Sequence, residues 1–387
     1  MPLEYAGQSH AHSHDWTREK ASLFDVSHMV QHMISGSLAE KFLMKITPSS
    51  VHSLAPHTAT LSVLLQDPSG GIVDDTVITR LGPDSYYFVT NAGTRDDDLK
   101  FISEERTQFL DAEGATDDAL DWRTLHHHSL LALQGPLAAD VLRRSIFVDE
   151  DDKDIDPDLS TLYFGHSRYL QLTLSDGTST PPLLVSRTGY TGEDGFEISI
   201  PGKHGDDEGL ARMTATTLVE DGETVKWAGL AARDSLRLEA GMCLYGHDIS
   251  LDTTPVEAAL GWVVGKDRRA QESAGFNGAT TILEQLASPQ KMAQRRVGFL
   301  VEKGPAAREG AEIVDPESGE SIGKITSGLP SPTLGGQNIA MGLVKNGYHK
   351  TGTKVGIKVR KNVRKAEVSK MPFVESKFYR PGWKGKA

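Results

Sequence analysis

The sequence predicts an α+β protein with antiparallel sheets and a small all-β unit at its C-terminal end, on three observations. Strand patterns follow one another with no helix between them, which favours a meander over parallel strands separated by helices. The residues joining them are turn formers rich in Gly, Pro, Asp and Ser. From Arg296 on, short β-rich runs separated by glycines and prolines fill about 90 residues, the signature of a small barrel or sandwich.

Taken in order, residues 58–65 alternate into the turn Asp67-Pro68-Ser69-Gly70-Gly71, and residues 72–79 resume the alternation, a hairpin with a loop slightly longer than minimal. A third strand is expected over 86–90. Asn91-Ala92-Gly93 closes it, and Thr94 is a good N-cap for a helix whose first turn holds Asp96, Asp97 and Asp98 at the positive end of the dipole. Segments 149–158 and 202–209 read as surface loops. Residues 187–195 form a tight acidic turn that runs straight into a strand. In that strand Phe196, Ile198 and Ile200 share one face, so Glu197 and Ser199 point the other way, into water or a cavity. Residues 230–240 predict a helix stopped at Gly241, with Arg233 and Arg237 four apart on one face. Residues 270–280 are small and polar and mark a boundary, and residues 328–336 read as a loop of the C-terminal unit, without a phosphate-loop or dinucleotide pattern. No solenoid repeat is visible.

Composition narrows the function classes. A chain of 387 residues with 38% hydrophobic content can bury a large core and divide into two or three domains. No apolar run approaches a membrane span, so no membrane partner is expected, and the first residues carry neither a secretory nor a mitochondrial targeting pattern. A single cysteine, Cys243, rules out an internal disulfide and a cysteine metal cage and fits a reducing compartment. The net charge of −12 argues against nucleic acid as the main partner. From Lys345 on, Lys and Arg far outnumber the carboxylates Glu367 and Glu375. That face suits either an acidic partner or plain solvation.

Several residue groups suit chemistry. The carboxylates Asp96, Asp97 and Asp98 read first as helix-start stabilisers, but a carboxylate held where strand passes to helix also suits proton handling or stabilising a cation. Glu197 on rigid backbone can accept two parallel N–H bonds from an aminopyrimidine edge such as a pterin or guanine. Arg233 and Arg237 on a largely apolar helix need partners, either internal carboxylates or a carboxylate-bearing ligand. His10, His12, His14 and the run His126 to His128 lack acidic or cysteine ligands at useful spacing, so no metal is expected.

An ordered series of motifs carries a resemblance over nearly the whole chain. Ser22-Leu23-Phe24-Asp25-Val26-Ser27-His28-Met29 is followed by Gly70-Gly71-Ile72-Val73-Asp74-Asp75, then by Asn91-Ala92-Gly93 with Asp98-Leu99 and by Ala132-Leu133-Gln134-Gly135-Pro136. Residues 189–197 and 228–241 come next, with Leu244-Tyr245-Gly246, Thr254-Pro255-Val256-Glu257 and Thr326-Ser327-Gly328. In this the chain resembles the aminomethyltransferases, the T-proteins of the glycine cleavage system, and most closely their eukaryotic branch through Lys370-Met371-Pro372-Phe373-Val374.

The resemblance implies two α/β lobes with antiparallel sheets and flanking helices around a folate channel, plus a C-terminal β-barrel. The expected division is a folate-binding region over 1–270 and a barrel over 290–380. It implies tetrahydrofolate as co-substrate, no metal, the lipoylated H-protein as partner with the P- and L-proteins in the same system, and a mitochondrial matrix location. By position, Asp98 matches the family's essential aspartate, Glu197 the glutamate on the pterin edge and Arg233 the folate-contacting arginine, supported by Arg237 from the next turn. Phe378 and Tyr379 align with an aromatic pair that closes the channel, where many relatives have tyrosine first. The pattern opens inside the family's usual beginning, at Pro2-Leu3-Glu4-Tyr5, so the first lobe is expected to lack its N-terminal segment and any presequence. Two other roles exist on this fold. Folate modules of demethylating oxidoreductases normally follow a flavin domain, for which no fingerprint is present. Tetrahydrofolate-dependent iron–sulfur assembly factors carry a cysteine motif that Cys243 alone does not supply. The Lys358, Lys361 and Lys365 region is the expected docking face for an acidic carrier.

Overall fold

Three β-structures organise the chain in the computed structural model, which describes residues 2–148, 158–202, 209–220 and 222–382. A five-stranded antiparallel sheet has the order Thr58–Leu65, Ile72–Gly82, Ser85–Thr90, Val30–Ser35, Asp121–Thr124. The expected meander is its first three strands, with the second strand running on to Gly82. Alternation sorts its residues: Ile34, Ile78, Tyr86 and Phe88 pack against the helices Ala39–Ile46 and Arg95–Glu113, while Gln31, Val77, Thr79, Tyr87 and Val89 face the opposite way.

A six-stranded sheet has the order Val225–Trp227, Ala21–Asp25, Ser129–Gln134, Gly195–Ile200, Leu183–Ser186, Ser167–Leu170, antiparallel except for the pairing of its first two strands. Phe196, Ile198 and Ile200 are buried under the helices Ala138–Ser145 and Gly209–Val219. The other face carries the row Phe24, Ala132, Glu197, Ser186 and is covered at one end by the helix Leu230–Glu239 through Ala228, Ala232 and Leu236. That helix stops as expected, with Gly241 in the left-handed region at φ 69°. The two sheets meet edge to edge at the bridge between Thr58 and His166, where Ala59 N–H donates to the Gly165 carbonyl at 2.7 Å.

The third structure is a closed six-stranded antiparallel barrel spanning Gln294–Val301 to Asn362–Ser369. It corrects one expectation: residues 328–331 belong to the strand Ser321–Ser331 and pair with Gln337–Lys345, so only the turn after Ser331 is a loop. The small, polar stretch at 270–280, read as a boundary, packs against the first hairpin. Asn277 donates from its side chain to the Leu65 carbonyl at 3.0 Å, and Gly278 N–H donates to Asp67 Oδ1 at 2.9 Å. A Cβ on Gly278 would stand 2.3 Å from the Gly70 Cα, so this segment is docked on the first hairpin. Most of the segments expected as loops at 149–158 and 202–209 lie outside the described residues.

Candidate active site

The faces of the two sheets left free by their helices oppose each other across a cavity. One wall is Ala59, Val77, Thr79, Tyr87 and Val89; Glu197, Ser199, Ser186 and His166 stand on the other. The Glu197 side of its strand therefore faces a cavity. Gln31 ties the walls together: its Oε1 accepts from Ser199 Oγ at 2.6 Å and from the Tyr87 hydroxyl at 3.0 Å, and its Nε2 donates to the His128 carbonyl at 3.2 Å.

The glycine-rich turn that delivers Glu197 is held by Gln134. Its Nε2 donates to the Thr188 carbonyl at 2.9 Å, and its Oε1 accepts from Thr191 Oγ1 at 2.8 Å. A Cβ on Gly189 would lie 1.9 Å from that side chain, so the close approach requires glycine. Arg187, whose role the sequence pattern did not reveal, is buried. Its guanidinium meets Asp194 through two bonds (2.9 and 2.5 Å), donates to the carbonyls of Leu159 and Leu162, and lies 4.0 Å from the Tyr379 ring centre.

Glu197 has its carboxyl raised above the ordinary range by burial, an effect that the Arg233 guanidinium opposes. Arg233 stacks 4.7 Å over the Tyr190 ring, its Nη1 is buried without a hydrogen-bond partner among the described residues, and burial lowers its pKa. Arg237, one turn on, is fully engaged: Nε to Asp234 at 2.9 Å, Nη1 to Asp248 at 2.6 Å and to the Met242 carbonyl, Nη2 to Ser327 at 2.8 Å. Arg237 thus has the internal carboxylate partners that the sequence left open.

Asp98 is fully buried in the first turn of its helix, whereas Asp96 and Asp97 are exposed. Thr94 holds the N-cap position, yet its hydroxyl makes no cap bond; it stands 2.9 Å from Asp98 Oδ2 and donates to the Asn91 carbonyl at 3.2 Å. Asp98 Oδ1 has no partner among the described residues. Beside it lies Asp74, with Asp75 next along its strand, both quoted only as part of a motif from sequence. Asn91 donates to Asp74 from its backbone N–H (2.7 Å) and side chain (2.8 Å), and to Asp75 at 2.8 Å. Burial, reinforced by the neighbouring Asp74, raises the Asp98 carboxyl far above the usual range; burial also raises Asp74 and Asp75.

Phe378 and Tyr379 lie on the strap that leaves the barrel. Phe378 stacks on Phe164 at 4.0 Å and Tyr379 on Tyr163 at 5.6 Å, beside the cavity residues Gly165 and His166, and the Tyr379 hydroxyl donates to the Ser160 carbonyl. The first histidine group is dispersed: His14 is buried, with Nδ1 2.7 Å from Ser235 Oγ and Nε2 3.1 Å from Glu239. Among the described residues no group of three His, Cys, Asp or Glu side chains is arranged to hold a metal ion, and no helix is long and apolar enough to cross a membrane. Of the basic barrel residues, Lys358 pairs with Glu312 at 2.6 Å, while Lys361 and Lys365 are exposed.

Comparison with known proteins fits this geometry. The GCVT N-terminal domain matches residues 1–268 and the glycine cleavage T-protein C-terminal barrel domain residues 294–375. The mitochondrial aminomethyltransferase of Saccharomyces cerevisiae is 44% identical, over 98% of this chain and 90% of its own, and that of Pisum sativum 46% identical, over 98% and 85%. The crystal structure of the glycine cleavage system aminomethyltransferase T from Bartonella henselae superposes with a TM-score of 0.82 at 36% identity, covering 98% of this chain and 93% of that one. The chain belongs to the glycine cleavage T-protein family.

Proposed function

We propose that this chain transfers the one-carbon unit of an aminomethyl group, carried on the lipoyl arm of the H-protein, to tetrahydrofolate, releasing ammonia and giving 5,10-methylenetetrahydrofolate and the dihydrolipoyl carrier. The family uses tetrahydrofolate as substrate, and the mitochondrial aminomethyltransferases among the relatives support a mitochondrial site of action. Their names favour transfer over the iron–sulfur assembly role.

The observation that carries the reading is a pair of buried, unpartnered polar atoms on opposite lobes, Asp98 Oδ1 and Arg233 Nη1, a state that a ligand relieves. Glu197 takes the pterin edge through two N–H bonds, Arg233 contacts the folate, and Arg237 holds the Arg233 helix against the barrel. Asp98 positions the attacking amine and stabilises positive charge as ammonia leaves. Phe378 and Tyr379 form the rim. The division into a folate-binding region over 1–270 and a barrel over 290–380 belongs to the same reading, as do a reaction without metal and co-operation with the P- and L-proteins. Lys361 and Lys365 contribute to the carrier face.

The test is ammonia and methylenetetrahydrofolate formation from aminomethyl-loaded H-protein, with a no-folate control and Asp98→Asn. Folate-dependent turnover that collapses in a folded, folate-binding variant supports the reading. A folded, folate-binding parent without turnover overturns it.

A further inference from the structure

Two carboxyl groups, Asp74 and Asp98, meet at the start of the Asp98 helix, and their hydrogen bonds are not equivalent. Both oxygens of Asp74 accept N–H bonds from Asn91, 2.7 Å from the backbone to Oδ2 and 2.8 Å from the side chain to Oδ1, the pattern of an ionised carboxylate. Among the described residues Asp98 has no N–H donor and meets the hydroxyls of Thr94 and Thr90. Its Oδ2 lies 2.9 Å from Thr94 Oγ1, and Thr94 has one hydrogen, which the Asn91 carbonyl at 3.2 Å also accepts. Both contacts are satisfied together when Thr94 donates to Asn91 and Asp98 donates to Thr94, which requires a proton on Asp98. The other oxygen, Oδ1, is buried and unpartnered.

We infer that Asp74 is a positioning residue for the transfer reaction: it is the ionised neighbour that keeps a proton on Asp98, so that Asp98 meets the substrate as an acid. The inference rests on the proposed transferase function and goes beyond it, because it gives Asp98 a starting protonation state and gives that state a cause. Two carboxyls this close cannot both ionise without opposing one another, and the Asn91 donors decide which one does.

The proton inventory closes. A half-turn of the Asp98 carboxyl about Cβ–Cγ presents its proton to the site. The lone pair of a folate nitrogen attacks the methylene carbon and the carbon–amine bond breaks. The amine leaves with the bonding pair, takes the Asp98 proton and departs as ammonia. The proton displaced from the attacking nitrogen returns to Asp98. In the second displacement the other folate nitrogen attacks the same carbon, the carbon–sulfur bond breaks, and the proton of that nitrogen ends on the lipoyl thiol. Asp98 finishes as it began.

Around Asp98 stand Asp74 from its strand, Thr90 with His32 behind it, Thr94 at the helix start, and Tyr245 from the loop after the Arg233 helix. Among these, Tyr245 donates its hydroxyl to the Ile72 carbonyl at 3.1 Å, and Arg233 faces Asp75. Asp74 is the charged group whose removal isolates the effect.

The experiment joins a pH–rate profile with infrared spectroscopy of the full chain. In Asp74→Asn the like charge is gone, so Asp98 ionises more readily. We expect folate affinity within about threefold of the parent, a kcat loss of at least about tenfold at pH 7.5, and a basic limb displaced to lower pH by about one unit. In the parent without folate, a carboxylic-acid C=O band at pH 7.5 should be present and should disappear in Asp98→Asn. Absence of that band, or an Asp74→Asn profile that keeps its parental limbs, overturns the inference. The infrared arm needs neither turnover nor a folded Asp74 variant, so failure of the transferase reading and failure of the proton assignment are read separately.

Discussion

Ser199 on the second-lobe sheet donates to Gln31 on the first-lobe sheet at 2.6 Å, and the same Gln31 oxygen accepts from Tyr87, a residue of the cavity wall, at 3.0 Å. One buried amide therefore joins the lobes beside Glu197, two residues from Ser199 on the same strand face. Gln31→Leu fills similar volume but leaves two hydroxyls without an acceptor, at a cost of about 2 kcal/mol in unfolding free energy. The wall moves with the lost clamp, so KM for tetrahydrofolate should rise more than kcat falls. Urea unfolding and steady-state kinetics check the two effects; unchanged KM would detach the clamp from the folate site.

The contrast between Ser199 and Gln31 marks how much the sequence discloses. Period-two alternation is local, so the placement of Glu197 and Ser199 opposite Phe196, Ile198 and Ile200 was legible, as was the meander at 58–90. What Glu197 faces was not, because the opposing wall is contributed by residues more than a hundred positions away. Arg233 and Arg237 show the same boundary: helical spacing put them on one face, yet only the fold decides that Asp248 and Ser327 occupy one and leave the other with an open Nη1. The Thr94 cap was legible as a position, while its hydroxyl makes no cap bond and instead lies 2.9 Å from Asp98 Oδ2, one turn on.

Glu197→Gln tests the pterin edge. The amide offers one acceptor where the carboxylate offers two and puts N–H against N–H, so folate affinity should fall on the order of ten- to hundredfold with a smaller change in kcat. A pH signature accompanies it. Burial raises the Glu197 carboxyl, and the bound edge needs the ionised form, so affinity in the parent declines as pH falls through that raised value. The decline should vanish in the variant. Titration calorimetry across mildly acidic pH measures both.

Asp98→Asn should stabilise the free protein while abolishing turnover. A buried carboxyl with a raised pKa binds more protons folded than unfolded, so stability falls as pH rises from the unfolded carboxyl range through the raised value. At pH 7.5 that loss is present in the parent and absent in the amide. The expected gain is on the order of 1 kcal/mol, read as a Tm rise of about 2 °C that shrinks towards pH 4. A lower Tm at pH 7.5 would contradict it.

Glu239 shows the opposite sign. It accepts from Arg18 Nη2 at 2.8 Å, Ser331 Oγ at 2.5 Å and Thr333 Oγ1 at 2.7 Å, with His14 at 3.1 Å, and so pins the N-terminal helix His10–Glu19 and the barrel turn to the end of the Arg233 helix. Burial alone would raise its carboxyl, but His14, through its contact and charge, and the Ser331 and Thr333 hydroxyls outweigh it and bring the pKa to about 2. A depressed carboxyl contributes stability above its unfolded pKa of 4.5 that is lost as pH falls towards about 2. Glu239→Gln should cost about 3 kcal/mol at pH 7, because Arg18 keeps Glu193 as a second partner at 3.0 Å and is not left wholly unpaired. The cost should shrink between pH 4.5 and the acid transition, where parent and variant converge. Denaturant unfolding at a series of pH values measures it, and a pH-independent difference would mean that the hub acts through shape instead of charge.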